Sequence, residues 1–233
     1  VFVASGGGRS LVSGSTDRSL HIPIDNNYAA SLGTALSTTG ARTVHVVVDT
    51  EAPGGLNRLQ DFMRDSAEHY PEVPVSVIEA PTFDAVLAQA AALPEDAVIY
   101  YLLVFSDGAG NRMTAIEAAR SLSEAAAVPV FSNWEVLLGT GIVGGYMISA
   151  ERVAQRLFPA MSTDENRQSD ASDIYGHYFD WRALQRHGIA AAAVPEWAEV
   201  RFRELSILEM HFYEALAVAV ALGVMAAMSL ALM

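Results

Sequence analysis

The sequence contains no cysteine, which removes disulfides, thiolate metal sites and cysteine nucleophiles together. Lysine is missing too: all 14 positive charges are arginine. A Walker phosphate loop needs its lysine, so Gly6-Gly7-Gly8-Arg9-Ser10 reads as a flexible connection rather than a phosphate cradle. Positive charge is scarce, 14 residues against 27 acidic ones, and the net charge is −13 at pH 7. Such a field repels phosphate backbones, so no nucleic-acid partner is expected. Charged residues make up 18% and hydrophobic ones 52% of 233 positions. That is ample for a packed core and excludes a disordered or fibrous chain, and charge this sparse suggests apolar content outside a water-facing globule.

The apolar surplus is local. From Ala215 to Met233 there is no charged residue, only Ala, Leu, Val, Met, one Gly and one Ser. As a helix rising ~1.5 Å per residue this run would extend roughly 28 Å, close to the ~30 Å hydrocarbon core of a bilayer. His211, Phe212 and Tyr213 supply aromatic rings where an interfacial belt would lie. A buried helix of a small domain keeps a polar stripe, and this run has none, so a membrane span is expected at 207–233. Arg201 and Arg203 precede it, but topology depends on arginine and lysine counts on both sides, and the residues alone leave the side open. At the other end Val1 to Ala4 is strand-like from the first residue, with no basic n-region. It is expected to be a cut edge.

Between these ends strand and helix patterns alternate. Thr43 to Asp49 is a near-continuous β-branched run, as expected of a parallel strand covered on both faces. Leu56, Leu59, Phe62, Met63 and Ala67 recur at helical spacing. Strands are expected at Pro74 to Ile78, Ala97 to Val104, Val128 to Phe131 and Val143 to Ile148. Helices are expected at Asn26 to Thr38 (closed by Gly40), Phe83 to Ala92, Thr114 to Ala126 and Ala150 to Phe158. Ser162 to Ser172 is polar and reads as a linker. In Phe179 to Ile189, Asp180 caps a short helix, Trp181 and Leu184 face inward, and Gly188 is the left-handed stop. Alternation of this kind implies a doubly wound α/β layer.

No motif carries catalysis. Gly139-Thr140-Gly141-Ile142-Val143-Gly144 has the spelling of a dinucleotide loop, but it leads into a strand, whereas that loop must open a helix. His21, His45, His69, His177, His187 and His211 show no ligand spacing. No nucleophile elbow occurs and no carboxylate pair stands out. No catalytic residue, metal or cofactor is expected.

What remains lies at the carboxyl ends of the buried strands, where an open α/β sheet forms its ligand crevice. These residues are Asp49, Thr50 and Glu51 after the first strand, Phe105, Ser106 and Asp107 after the third, and Ser132, Asn133, Trp134 and Glu135 after the fourth. Aromatic faces beside hydrogen-bonding groups suit a small polar solute. Ser106 and Asp107 read equally as caps of the next helix, and Trp134 equally as a core plug.

Four stretches carry a resemblance: Tyr101 to Arg112 (YLLVFSDGAGNR), Gly139 to Ser149 (GTGIVGGYMIS), Phe179 to Ile189 (FDWRALQRHGI) and Val200 to Leu208 (VRFRELSIL). With them the whole chain resembles periplasmic substrate-binding-protein-like sensor modules, of the ABC-transporter substrate-binding type, found ahead of a membrane helix in bacterial sensor histidine kinases. The resemblance implies a periplasmic-binding-protein-like doubly wound parallel sheet with lobe two complete and lobe one mostly missing. It divides the chain into a lobe-one remnant and crossover (1–40), lobe two (41–149), a return helix, polar linker and exit segment (150–206) and the span (207–233). It also implies that a small solute held between the lobes closes them, that the α/β part is periplasmic on a bacterial inner membrane, and that the parent protein is a homodimeric histidine kinase or cyclase. The alternative is a membrane-tethered binding component of an ABC transporter.

Overall fold

Ala97-Val98-Ile99-Tyr100-Tyr101 is apolar at every position, and in the computed structural model every one of these side chains is buried. Only a strand covered on both faces does this. The structure describes residues 3–5, 21–23, 26–155 and 174–203, together with Leu216, Val220, Leu222, Met225, Met228 and Ser229. The chain divides into two units, Val1–Phe202 and Arg203–Met233.

In the first unit the order is β1 (Val3–Ser5), β2 (His21–Pro23), α1 (Tyr28–Thr39), β3 (Thr43–Val47), α2 (Gly55–His69), β4 (Val75–Val77), α3 (Phe83–Ala91), β5 (Ala97–Tyr101), α4 (Ala115–Ala125), β6 (Val130–Phe131), β7 (Gly144–Ile148), a helical stretch α5 at 150–155, β8 (Tyr175–Asp180), α6 (Trp181–Arg186) and β9 (Glu199–Arg201). Strands β1 and β2 pair in parallel as a sheet of their own. The other seven form one sheet in the order β4-β3-β5-β6-β7-β8-β9. It is parallel from β4 through β7, while β8 runs antiparallel to β7 and parallel to β9.

Successive side chains of a strand point to opposite faces, and the core divides accordingly. Val47, Ile99 and Tyr101 pack with Phe83 and Val86 of α3 and Ala118 and Leu122 of α4. Val44, Val46, Val98 and Tyr100 pack with Tyr28 and Leu32 of α1, Phe62 of α2 and Leu184 of α6. On this second face Tyr28, Phe62 and Tyr100 form a ring cluster with centroids 4.5–6.2 Å apart, and the Tyr100 hydroxyl donates to Ser31 Oγ at 2.7 Å. Helix α1 is thereby fixed to the seven-stranded sheet. On α2, Phe62 is buried, but Leu56 and Met63, counted as inward by spacing, are exposed.

Helix boundaries follow local chemistry. Thr114 Oγ1 accepts from the Glu117 N–H at 3.1 Å, and the Glu117 carboxylate accepts from the Thr114 N–H at 2.9 Å. This capping box starts α4. Thr114→Ala should cost about 1 kcal/mol, which a melting temperature ~2–4 °C lower would register. Asp180 caps α6 by accepting from the Arg182 N–H at 2.9 Å, and Gly188 is left-handed after it at φ 63°, as the sequence pattern requires. Two differences matter. Strand β5 ends at Tyr101, three residues early, because the chain turns at Leu103 with φ 72°. Strand β8 has no counterpart in the sequence reading.

Gly144 opens β7 and no helix follows the glycine run at once, so the dinucleotide-like spelling has another cause. At φ 142° a Cβ on Gly144 would lie 2.2 Å from the Tyr178 carbonyl oxygen. Glycine is needed there for β8 to pair.

In the second unit the described positions are helical, and Leu216, Val220, Leu222, Met225 and Met228 are 49–60% exposed. No helix among the described residues is long and apolar enough to cross a membrane. Most of the expected span lies outside the described residues, as do the polar stretch at 162–172 and the end of the helix expected over 150–158.

Candidate functional site

Strand β3 is the first parallel strand of the large sheet. The chain moves from it outward to β4, then returns to the opposite side of β3 with β5. Loops leaving β3 and β5 therefore diverge to opposite sides, and such a switch point opens a crevice beyond the carboxyl ends of the strands. Asp49 stands at this point and is only 6% exposed. Its Oδ1 accepts from the N–H groups of Glu51 at 3.0 Å and Ala52 at 2.9 Å. Its Oδ2 accepts from the N–H groups of Phe105 at 3.2 Å and Ser106 at 2.8 Å, and from Ser106 Oγ at 2.9 Å. Burial by itself raises this carboxyl's pKa. The Ser106 hydroxyl and the N–H groups of Ala52, Phe105 and Ser106 outweigh it and hold the group below its ordinary value.

The loop after β5 is tied down from three directions. The buried Tyr101 hydroxyl accepts from the Val104 N–H and donates to the Ala115 carbonyl, both at 2.9 Å. The Asp49 N–H donates to the carbonyl of left-handed Leu103 at 3.2 Å. Asp107 Oδ2 accepts from the Phe83 N–H at 3.2 Å, and Oδ1 accepts from the N–H groups of Ala109 and Asn111. Asp107 thus serves the start of α3, the helix before it in the chain. Neither it nor Ser106 caps α4, whose cap is Thr114.

These ties leave a cavity of about 260 Å³. Of the residues expected at the crevice, Asp49, Thr50, Glu51, Ser106 and Asp107 line it. Phe105, beside it in the chain, is 42% exposed. Glu79, Thr82 and Gly108 also line the cavity and were missed. For Glu79 the signal was available, since it follows β4, another parallel strand whose carboxyl end opens on the same crevice.

The group after β6, Ser132, Asn133, Trp134 and Glu135, is not part of this cavity's lining. Ser132 and Asn133 are fully buried. Asn133 Nδ2 donates to the backbone carbonyl and Oδ1 of Asn26 at 3.4 and 3.3 Å. The Asn133 carbonyl accepts from the Ile148 N–H, and the Ser149 N–H donates to the Ile174 carbonyl, both at 2.8 Å. Asn133 therefore ties residue 26 to residue 148, and Ser149 next to it is bonded to 174. Trp134 is half-buried against Ile148, Ile174 and Tyr175, the plug reading. Glu135 is committed twice: it accepts from the Ala150 N–H at 3.1 Å and forms an ion pair with Arg201 of β9. Among the described residues no group of His, Asp or Glu is placed to hold a metal ion.

No family description and no curated protein matches the chain. Solved structures do. An ABC domain in complex with L-Trp from Streptococcus pneumonia superposes with a TM-score of 0.55 at 8% identity, over 78% of this chain and 63% of its own. The fold is substrate-binding-protein-like. A conserved domain protein from Vibrio cholerae O1 biovar El Tor gives 0.51 at 16% identity, over 78% and 62%. The ligand-free, open form of a substrate-binding protein with adhesive properties from Clostridium difficile gives 0.50 at 13% identity, over 73% and 57%. At such identities the likeness concerns the fold alone, and this chain spans about three fifths of the length of these structures. Within that limit the expected periplasmic-binding-protein-like α/β sheet is present.

Proposed function

We propose that this chain is a solute-recognition lobe of a membrane-tethered, substrate-binding-protein-like receptor, acting as the extracytoplasmic input domain of a transmembrane sensor, a histidine kinase in the first instance. The observation that carries the proposal is the cavity at the β3/β5 switch point, walled by loops that Asp49 locks together. A solute there would contact Thr50 and Glu51, which line the cavity and are exposed. Closure on a solute is a population shift and requires a ligand that favours the closed form. The uncharged run Ala215 to Met233 and its exposed apolar helical positions support the tether.

The test is a solute panel against the full-length protein, read by thermal unfolding. A ligand present at 100 times its Kd should add about 2.7 kcal/mol, or ~5–10 °C for a chain of this length. Thr50→Ala should then weaken binding about tenfold, roughly 1.4 kcal/mol, with little effect on the apo melting temperature, because the side chain is exposed. A panel without any shift would sink the proposal. A second reading, a tethered binding component of an ABC transporter, draws on the Clostridium difficile neighbour, which is named a substrate-binding protein. Neighbouring permease and ATPase genes would favour it, whereas a phosphoacceptor histidine and ATP-binding core after Met233 would favour the sensor.

A further inference from the structure

The lining of the β3/β5 cavity is of two chemistries. Val47, Val77, Ile78, Phe83 and Val86 give the lining an apolar side, whereas buried Asp49, half-buried Asp107 and exposed Glu51 and Glu79 give it four carboxylates. Among the described residues no arginine or histidine lines the cavity. Asp49 and Asp107 stay ionised because backbone N–H groups and the Ser106 and Asn111 side chains stabilise their charged forms. Their oxygens are already engaged, so they contribute field rather than contact. Glu51 and Glu79 are exposed, and neither has an ion-pair partner among the described residues. Arg58, on helix α2, is not among the lining residues: its Nε donates to the Leu102 carbonyl and its Nη1 to the Pro53 carbonyl, while its Nη2 is buried without a hydrogen-bond partner among the described residues. Among the described lining residues an anion entering this crevice would meet carboxylates and no cation, and like charges brought together out of water are strongly disfavoured.

We propose that this crevice selects a small organic cation, an ammonium group on an apolar body, with the body on the valine, isoleucine and phenylalanine side and the ammonium between Glu51 and Glu79. A volume of about 260 Å³ falls below the ~300–1,000 Å³ typical of sites for drug-sized ligands, which limits the body to about a single ring or short branched chain. The inference rests on the reading of the crevice as a solute site and adds the charge of the solute to it.

Three probes matched in shape separate the two ideas: 2-phenylethylamine, 2-phenylethanol and 3-phenylpropanoate, titrated calorimetrically into the full-length protein. The amine is expected to bind at least tenfold tighter than the alcohol, with the acid weakest, and its advantage should shrink as salt screens the carboxylates. The double substitution Glu51→Gln, Glu79→Gln is expected to abolish the difference between amine and alcohol. Both side chains are exposed, so the variant should fold. Equal or tighter binding of the alcohol or acid overturns the charge selection while leaving a solute site in place. An amine affinity indifferent to the double substitution overturns it as well. If none of the three binds, the cation proposal fails, and the solute-site reading is judged separately by the loss of panel hits in Thr50→Ala.

Discussion

Asp49→Asn should lower the melting temperature by about 6–12 °C. Both oxygens of the Asp49 carboxylate accept from N–H or O–H donors. An amide turns one acceptor into a donor, so one of two groups, Glu51 with Ala52 or Phe105 with Ser106, must face an NH₂ that offers it nothing. Hydrogen bonds to a charged partner are worth ~1.5–3 kcal/mol each. Losing the better part of two, with some relaxation, costs about 3 kcal/mol, or ~2–4 °C per kcal/mol at this length.

The pH dependence has a definite sign. The folded pKa is depressed, so this stabilisation is complete above the unfolded value of ~3.9 and is lost as pH falls from there through the folded value. The gap between wild type and variant should therefore narrow below about pH 4. Had Asp49 been a ligand contact only, the variant would lose solute affinity with its melting temperature unchanged. That outcome would return Asp49 to the role expected from the sequence.

Gly144→Ala should be comparably severe, at about 4 kcal/mol. The new Cβ would sit 2.2 Å from the Tyr178 carbonyl oxygen and 2.8 Å from Phe179 Cα, both of them β8 backbone, at a φ of 142°. Backbone strain of ~1–3 kcal/mol and overpacking of ~1–3 kcal/mol add here because no flexible side chain can yield. Strands β7 and β8 should separate, exposing 174–180 to protease together with the loss in melting temperature. Gly110 is the control: it is also left-handed, at φ 83°, but has nothing within 4 Å, so its alanine variant should carry the strain alone. Equal melting temperatures for wild type and Gly144→Ala would refute the packing account.

How much was readable in advance divides along the same line as these two residues. Strands β5 and β6 are buried on both faces, and sheet burial of that kind writes an uninterrupted apolar run into the chain; β3, read as covered on both faces, keeps Thr43 and His45 only half-buried. The α6 cap at Asp180 and its stop at Gly188 are equally local. Strand β8 was not legible. Its sequence Tyr175-Gly176-His177-Tyr178-Phe179-Asp180 has no clean alternation, and it becomes a strand because Gly144 allows β7 to approach. Glu135 illustrates the limit for site residues. Its place after a parallel strand fits a ligand group as well as any, but Arg201, 66 positions later, takes its carboxylate.

From residue order alone came the α/β alternation, the uncharged C-terminal run, the absence of thiol, lysine and nucleophile chemistry, and the crevice end of the sheet. All of these depend on neighbours within a few positions or on composition. Tertiary structure decided which polar groups at that end are free. Hydrogen-bond donors from residues 105 and 106 close on Asp49, Phe83 meets Asp107, and Asn26 meets Asn133. A carboxylate or amide has the same spelling whether water, a solute or a distant backbone N–H satisfies it, and only the folded chain brings the competing partner within 3.5 Å.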